Sequence, residues 1–216
     1  MFKTVLITSG PTIEPIDPVR FISNRSSGKT GYHLAQKARD RGIGNIIFIT
    51  GPTCFHPDDV QLIRIETAQE MHREVLRYAD QAEAIIMAAT VSDFRNSKYY
   101  PEKIKKGKDP LTLKLIGNED ILRELGRKKK GNQILIGFAA ETENIFENAM
   151  RKLEEKNLDL LVLNEISDSN PAFGEDENQV YLITRAAVRK MERVNKAKIA
   201  DLIWDEIDRI AGEKGR

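Results

Sequence analysis

The chain holds 216 residues with Lys+Arg 34 against Asp+Glu 33, a net charge of +1. So even a balance argues against a nucleic-acid coat or a membrane-surface protein. At 40% hydrophobic and 31% charged, the composition is that of a globular protein, and the single cysteine, Cys54, excludes an internal disulfide and suits a reducing cytoplasm.

The N-terminus reads as running straight into a strand, so no signal peptide is expected, and no apolar run approaches membrane-spanning length. A cytoplasmic location is expected. Val5-Leu-Ile-Thr8 reads as the first buried strand, and Lys29 to Arg41 as an amphipathic helix. Asn45–Thr50 and Gln61–Glu66 follow as strands. Thr67 then caps a helix running to about Tyr78, with Glu70 at the capping-box position. Ala84–Thr90 is the next buried strand. Phe94 to Pro110 has no clear period and carries Lys98, Lys103, Lys105, Lys106 and Lys108, the composition of a flexible lid. Leu111–Ile116 alternates as an added strand, and a short helix spans about Glu119 to Lys129 with Asn118 as its N-cap. Ile134–Ala140 is a strand, Ile145–Lys156 a helix, Leu158–Asn164 a strand and Gln179–Thr184 the final strand, before a closing helix from Asn195 to Ile210. Strands alternating with helices predict an α/β fold: a doubly wound, mostly parallel, Rossmann-like sheet with helices on both faces and an extended lysine-rich loop. No repeat or linker interrupts it, so residues 1–216 are expected to form a single nucleotide-binding domain.

The turn from first strand to first helix, Ser9 to Gly28, is long and crowded with donors. In an open α/β sheet this is where ligands bind. Ser26, Ser27 and Gly28 stand before the helix, where free amides and the positive dipole end favour a phosphate. Arg20, Arg25 and Lys29 add positive charge, and Asn24 offers both donor and acceptor groups. A Walker A loop is missed, because its opening glycine would fall at Ser23. The dinucleotide fingerprint is missed too, because Gly10 is followed by Pro11 and Thr12, which disfavours an oxidoreductase. The alternative is an ordinary helix capped by Ser26 or Ser27, with the arginines solvated. Pro11, Pro15 and Pro18 stiffen the loop and favour binding.

Asp93, Glu141 and Asn164 emerge where apolar strands end, at the same edge as this turn. A carboxylate there could hold Mg²⁺ on nucleotide phosphates, or simply cap a helix or turn. Lys103 stands out on the lid as a cation that closure could bring to a transferring phosphoryl group, although a lysine run is most often a solvated surface. Lys152 and Lys156 lie one helical turn apart and could reach one anion. His33, His56 and His72 lack zinc spacing, and no Gly-x-Ser-x-Gly occurs. From the residues alone, the reading reaches a nucleotide-type anion site with a lysine lid.

Six motifs together resemble the phosphopantothenoylcysteine synthetases, or phosphopantothenate–cysteine ligases, of coenzyme A biosynthesis. They are Glu14-Pro-Ile-Asp-Pro-Val-Arg-Phe-Ile-Ser-Asn-Arg-Ser-Ser-Gly-Lys29, Ala88-Ala-Thr-Val-Ser-Asp93, Glu102-Lys-Ile-Lys-Lys106, Gly137-Phe-Ala-Ala-Glu-Thr142, Lys156-Asn-Leu-Asp159 and Phe173-Gly-Glu-Asp-Glu-Asn178. The resemblance implies a ligase joining 4′-phosphopantothenate to L-cysteine through an acyl-cytidylate, with release of pyrophosphate and CMP. It implies Asn24 and Lys103 as catalytic residues and Arg20 with Asn24 as substrate-binding ones. For the nucleotide it implies Ser26, Ser27, Gly28, Ala88, Ala89, Asp93, Asn118, Asp120, Ile121, Phe138, Lys152 and Lys156. CTP as co-substrate, Mg²⁺ with ligands unassigned, and a homodimer are expected with it. Many bacterial relatives carry a preceding flavin-dependent decarboxylase domain, so a chain beginning at the synthetase strand is expected to lack FMN. Thr90, Glu119 and Gly10-Pro11 depart from the usual pattern near the nucleotide segments, and leave CTP against ATP open. The competing reading is a non-catalytic CTP- or ATP-binding module, which needs phosphate donors but no lid lysine.

Overall fold

The computed structural model describes residues 2–107, 110–141, 143–166 and 176–215. Lys108, Thr142 and the Phe173–Glu175 part of the last motif lie outside the described residues. Eight strands form one sheet: β1 Thr4–Ser9, β2 Asn45–Thr50, β3 Gln61–Arg64, β4 Ala84–Met87, β5 Ile134–Glu141, β6 Leu160–Glu165, β7 Val180–Ile183 and β8 Val188–Lys190. The helices are α1 Lys29–Asp40, α2 Ala68–Ala79, α3 Ile121–Lys128, α4 Ile145–Glu155 and α5 Lys196–Glu213.

The sheet order is β8-β7-β6-β5-β4-β1-β2-β3. β3 through β6 in that order run parallel, and β7 and β8 are antiparallel additions at one edge. The fold is thus doubly wound, with its strand order reversing between β1 and β4. A crevice opens outside the strands' carboxyl ends at such a switch point.

Alternation along each strand feeds two cores. Val5, Ile7, Phe48, Ile86, Ile136 and Val162 face α1 and α5, whereas Leu6, Ile47, Ile49, Ile85, Leu135 and Leu161 face α2, α3 and α4. Fully burying each such side chain stabilises the fold by roughly 1.5–3 kcal/mol. Trp204 of α5 is fully buried, and its indole N–H donates to the Leu34 carbonyl of α1 at 2.9 Å. That bond locks the two helices of one layer to each other and leaves no unpaired indole donor.

Several element boundaries differ from the sequence reading. Asp120, not Asn118, caps α3, accepting from the Arg123 amide at 3.0 Å. Asn118 is drawn away because its amide donates to the Ser92 carbonyl at 2.8 Å. The stretch after Asp93 is not wholly aperiodic: Phe94–Asn96 pairs antiparallel with Leu115–Gly117, and only the end of the expected Leu111–Ile116 strand forms. A second ribbon, Ile13–Pro15 with Phe21–Ser23, lies inside the long first turn. Gln179–Thr184 is not the final strand, because β8 returns beside it. These ribbons and β8 are built of three-residue strands whose residues, Glu14 apart, are half-buried or exposed, so no buried apolar stripe announces them.

Candidate functional site: a crevice at the switch point

Two chain segments leave the carboxyl ends of β1 and β4 side by side and remain joined. The Thr90 amide donates to the Gly10 carbonyl at 2.9 Å, and the Ser92 amide to Thr12 Oγ1 at 2.9 Å. Asn24 reaches across the same seam, its Nδ2 donating to the Val91 carbonyl at 3.1 Å. One N–H and the carbonyl oxygen of that amide remain for another partner.

The start of α1 forms the crevice floor. Its N-cap is Gly28, with φ 78 and no side-chain cap, and no acidic residue stands in the first turn. Neither Ser26 nor Ser27 is the N-cap, because Gly28 holds that position; the two hydroxyls accept from the Gly28 and Lys29 amides at 3.4 Å each. The positive end of the helix is left open to an anion. Ser9 Oγ donates to the Gly28 carbonyl at 3.0 Å and Thr53 Oγ1 to the Ser27 carbonyl at 2.6 Å, so the turn is gripped from the end of β1 and from the loop that follows β2.

One cleft is lined by Ser26, Ser27, Gly28, Ala88, Ala89 and Phe138, all expected nucleotide-binding positions. Thr90, Lys29 and Lys196 line it as well. Lys196 was not singled out in the sequence. The Asn195 cap, which accepts from the Lys198 amide at 2.8 Å, puts it at the first turn of α5. Only the packing of α5 against α1 brings it opposite Lys29. The Lys29 ammonium pairs with Asp176 and sits 5.5 Å from the Phe55 ring centroid.

The remaining expected residues lie outside this cleft wall. Asn118 binds the Ser92 carbonyl and accepts from Arg95 at 2.7 Å. Lys152 and Lys156 do not share one anion here; Lys152 pairs with Glu141, and Lys156 with Asp120 at 3.1 Å. Burial opposes the Asp120 charge, but the Arg123 amide and the Lys156 ammonium more than offset it and hold the carboxyl below its ordinary value. Ile121 buries its side chain in the core beneath α3. Asp93 is exposed.

Lys103 is exposed and does not line the cleft. Its neighbour Ile104 is held by Asp17 and Arg20, whose guanidinium donates to the Ile104 carbonyl at 2.7 Å. Arg20, expected to face substrate, is thus engaged by Asp17 and the lid. The Arg20 guanidinium in turn holds the Asp17 carboxyl well below the usual carboxylate range. Asp17 was missed in the sequence, although an Asp two and three residues before amides it accepts from, at 2.9 Å each, is an Asx-turn signal.

Comparison with known proteins decides the family. Residues 2–210 match the family described as the DNA/pantothenate metabolism flavoprotein C-terminal domain. The chain belongs to this family. Curated relatives in it include the coenzyme A biosynthesis bifunctional protein CoaBC of Borreliella burgdorferi, 41% identical over 92% of this chain and 50% of that protein. The CoaBC protein of Bacillus subtilis is 39% identical over 99% of this chain and 53% of its own length. The chain thus spans about half the length of these relatives. Among solved structures, the C-terminal domain of a CoaBC protein superposes with TM-score 0.82 at 35% identity, covering 98% of this chain and 96% of that one. A mutant protein solved in complex with phosphopantothenate-cysteine shares the fold at TM-score 0.78 and 18% identity, over 99% of this chain and 89% of that one. No helix among the described residues of this family member is long and apolar enough to cross a membrane.

Proposed function

We propose that the chain is a phosphopantothenate–cysteine ligase, acting through an acyl-cytidylate. The observation that carries the reading is convergence on one seam. The Ser26–Lys29 turn and the Ala88–Thr90 wall line a single cleft, Asn24 is bonded across the Val91 segment beside it, and the Lys103 loop is tied to the same first turn. Relatives named for coenzyme A biosynthesis support the same pathway.

In the first step a carboxylate oxygen of 4′-phosphopantothenate attacks the α-phosphorus of CTP. An O–P bond forms, the bond to the bridging oxygen breaks, and pyrophosphate leaves. In the second, the cysteine amine attacks the acyl carbon; a C–N bond forms, the C–O bond to the nucleotide breaks, CMP leaves, and the nitrogen loses a proton to solvent. Splitting the reaction supplies the leaving group that a carboxylate lacks. The Ser26–Gly28 turn and the open end of α1 hold the triphosphate. Lys103 stabilises charge on the transferring phosphoryl, and the Asn24 amide steadies the acyl carbonyl.

Mg²⁺ fits this site as an ion carried by the phosphates. Among the described residues no group of three or more His, Cys, Asp or Glu forms a cage, and Asp93 is one exposed carboxylate at the end of the Ala88–Ser92 segment. Bound there, it would neutralise triphosphate charge.

The acting form is a homodimer in this reading. Val19, Phe21, Phe94, Tyr99, Leu115 and Ile116 are exposed apolar residues on or beside the two ribbons, which pack against each other. A second copy of the chain is the occupant that suits these exposed apolar residues.

The test is incubation of the protein with 4′-phosphopantothenate, cysteine, Mg²⁺ and either CTP or ATP, with the joined thiol product measured. Faster product with CTP is expected. Product with ATP preferred overturns the base assignment, and nucleotide binding without product in either mixture favours a non-catalytic binding module.

A further inference from the structure

The Tyr100 amide donates to the Ile16 carbonyl at 2.9 Å, the Ile104 amide to Asp17 Oδ2 at 3.1 Å, and Arg20 Nη2 to the Ile104 carbonyl at 2.7 Å. Two of these bonds fall on the residue next to Lys103. Asp17 is their hub, with a side chain 0% exposed. Its two oxygens divide the work. Oδ1 accepts from the Val19 and Arg20 amides, each at 2.9 Å, and so builds the local turn. Oδ2 accepts from the Ile104 amide at 3.1 Å and from Arg20 Nε at 3.0 Å, and so serves the lid.

We propose that Asp17 is a positioning residue for the lysine lid, holding Arg20 and Ile104 so that Lys103 is presented from a fixed point beside the crevice. The proposal rests on the role given to Lys103 above. Fixing one residue's backbone costs roughly 1–2 kcal/mol of entropy. Ties at Tyr100 and Ile104 meet that cost before substrate arrives, so the lysine does not have to be recruited from a free loop. A carboxylate is the group that fits, because every donor facing Oδ2 is an N–H and a buried acceptor serving them all must carry no hydrogen.

Asp17→Asn separates the two halves of this role, since the turn-building oxygen can remain while an NH₂ group faces the lid donors. Trypsin cleavage of the full chain after Lys103, Lys105 and Lys106, without ligand, should accelerate by about tenfold or more as the local opening becomes easier. Ile104→Pro removes the lid's own amide from an exposed loop and leaves the buried carboxylate in place. It should give the same acceleration at Lys105 and Lys106, and it carries the test should Asp17→Asn fail to fold. In turnover, Asp17→Asn should lower kcat for pyrophosphate release by about 100-fold with little change in nucleotide KM. In a Lys103→Gln background it should cause no further loss, since two residues acting through one lysine are not additive. Unchanged cleavage in both variants overturns the proposal. Losses that multiply in the double variant also overturn it, leaving Asp17 a purely structural residue. If the unaltered chain releases no pyrophosphate, the ligase reading fails by itself, while proteolysis still decides whether Asp17 holds the lid.

Discussion

Ser9, the last residue of β1, donates its hydroxyl to the carbonyl of Gly28, the N-cap of α1, at 3.0 Å. The bond seats the open end of the helix directly on the end of the strand. Gly28 has φ 78, and a Cβ there would stand 2.8 Å from Thr53 Oγ1. Gly28→Ala should therefore cost about 1–3 kcal/mol, and it should displace the amides to which the ligase proposal assigns the phosphates. Denaturant unfolding and CTP titration check both effects, and a variant of unchanged affinity would remove this turn from the phosphate site.

Lys103→Gln removes an exposed cation from a loop, so stability should change by no more than about 0.5 kcal/mol. Pyrophosphate release should nevertheless fall by about 100-fold or more, as it does when a group aimed at transition-state charge is lost. Single-turnover kinetics with CTP check the rate. Near-normal release would leave the lid lysine a solvated surface residue.

Asn24→Asp puts a negative charge where the Nδ2 donor meets the Val91 carbonyl at 3.1 Å. Two acceptors then face each other, and under the proposed mechanism the acyl carbonyl of the intermediate gains a repulsive neighbour. Pyrophosphate should still form while amide product is largely lost. Quantifying both products in one reaction checks the split.

Glu14 is 3% exposed and accepts from the Ala68 amide at 2.9 Å. Burial, with help from the nearby Glu70 charge, raises its pKa, and the Ala68 and Thr12 hydrogen bonds and the Arg95 charge only partly oppose this. An acid whose folded pKa is raised loses stability as pH rises from its unfolded value through its folded one. Glu14→Gln keeps an acceptor for Ala68 and escapes that loss. Its Tm should exceed the parent's at pH 7, and the gap should close below about pH 4. Thermal melts across pH measure it.

Much of the fold was legible because burial writes itself into sequence. β2, β5 and β6 lie inside the sheet and read as continuous apolar runs, and Thr67 with Glu70 forms the capping box that marks α2. The two ribbons carry no such stripe, since their three-residue strands are half-buried or exposed and their one buried residue, Glu14, is charged. The choice between Asn118 and Asp120 as cap was decided by the Ser92 carbonyl, which lies 26 residues away in the chain. The Ser26–Gly28 turn at the start of α1 could be read locally, whereas the clasp between Asp17 and Ile104 spans 87 residues and leaves no local trace. Local chemistry was visible; long-range hydrogen bonding was not.

Phe94 is 56% exposed on one ribbon. Phe94→Lys should disrupt association of two copies with little effect on the fold, because the side chain is outside both cores. Sedimentation at several protein concentrations should report a dimer for the parent and a monomer for the variant. A parent that remains monomeric throughout would remove the dimer from the account.

The central claim is that the carboxylate is activated before cysteine is used. The direct measurement is rapid-mix release of pyrophosphate from 4′-phosphopantothenate, CTP and Mg²⁺ with no cysteine present. The account predicts a burst close to one equivalent per active site, followed by amide product when cysteine is added. Pyrophosphate that appears only once cysteine is present would contradict it.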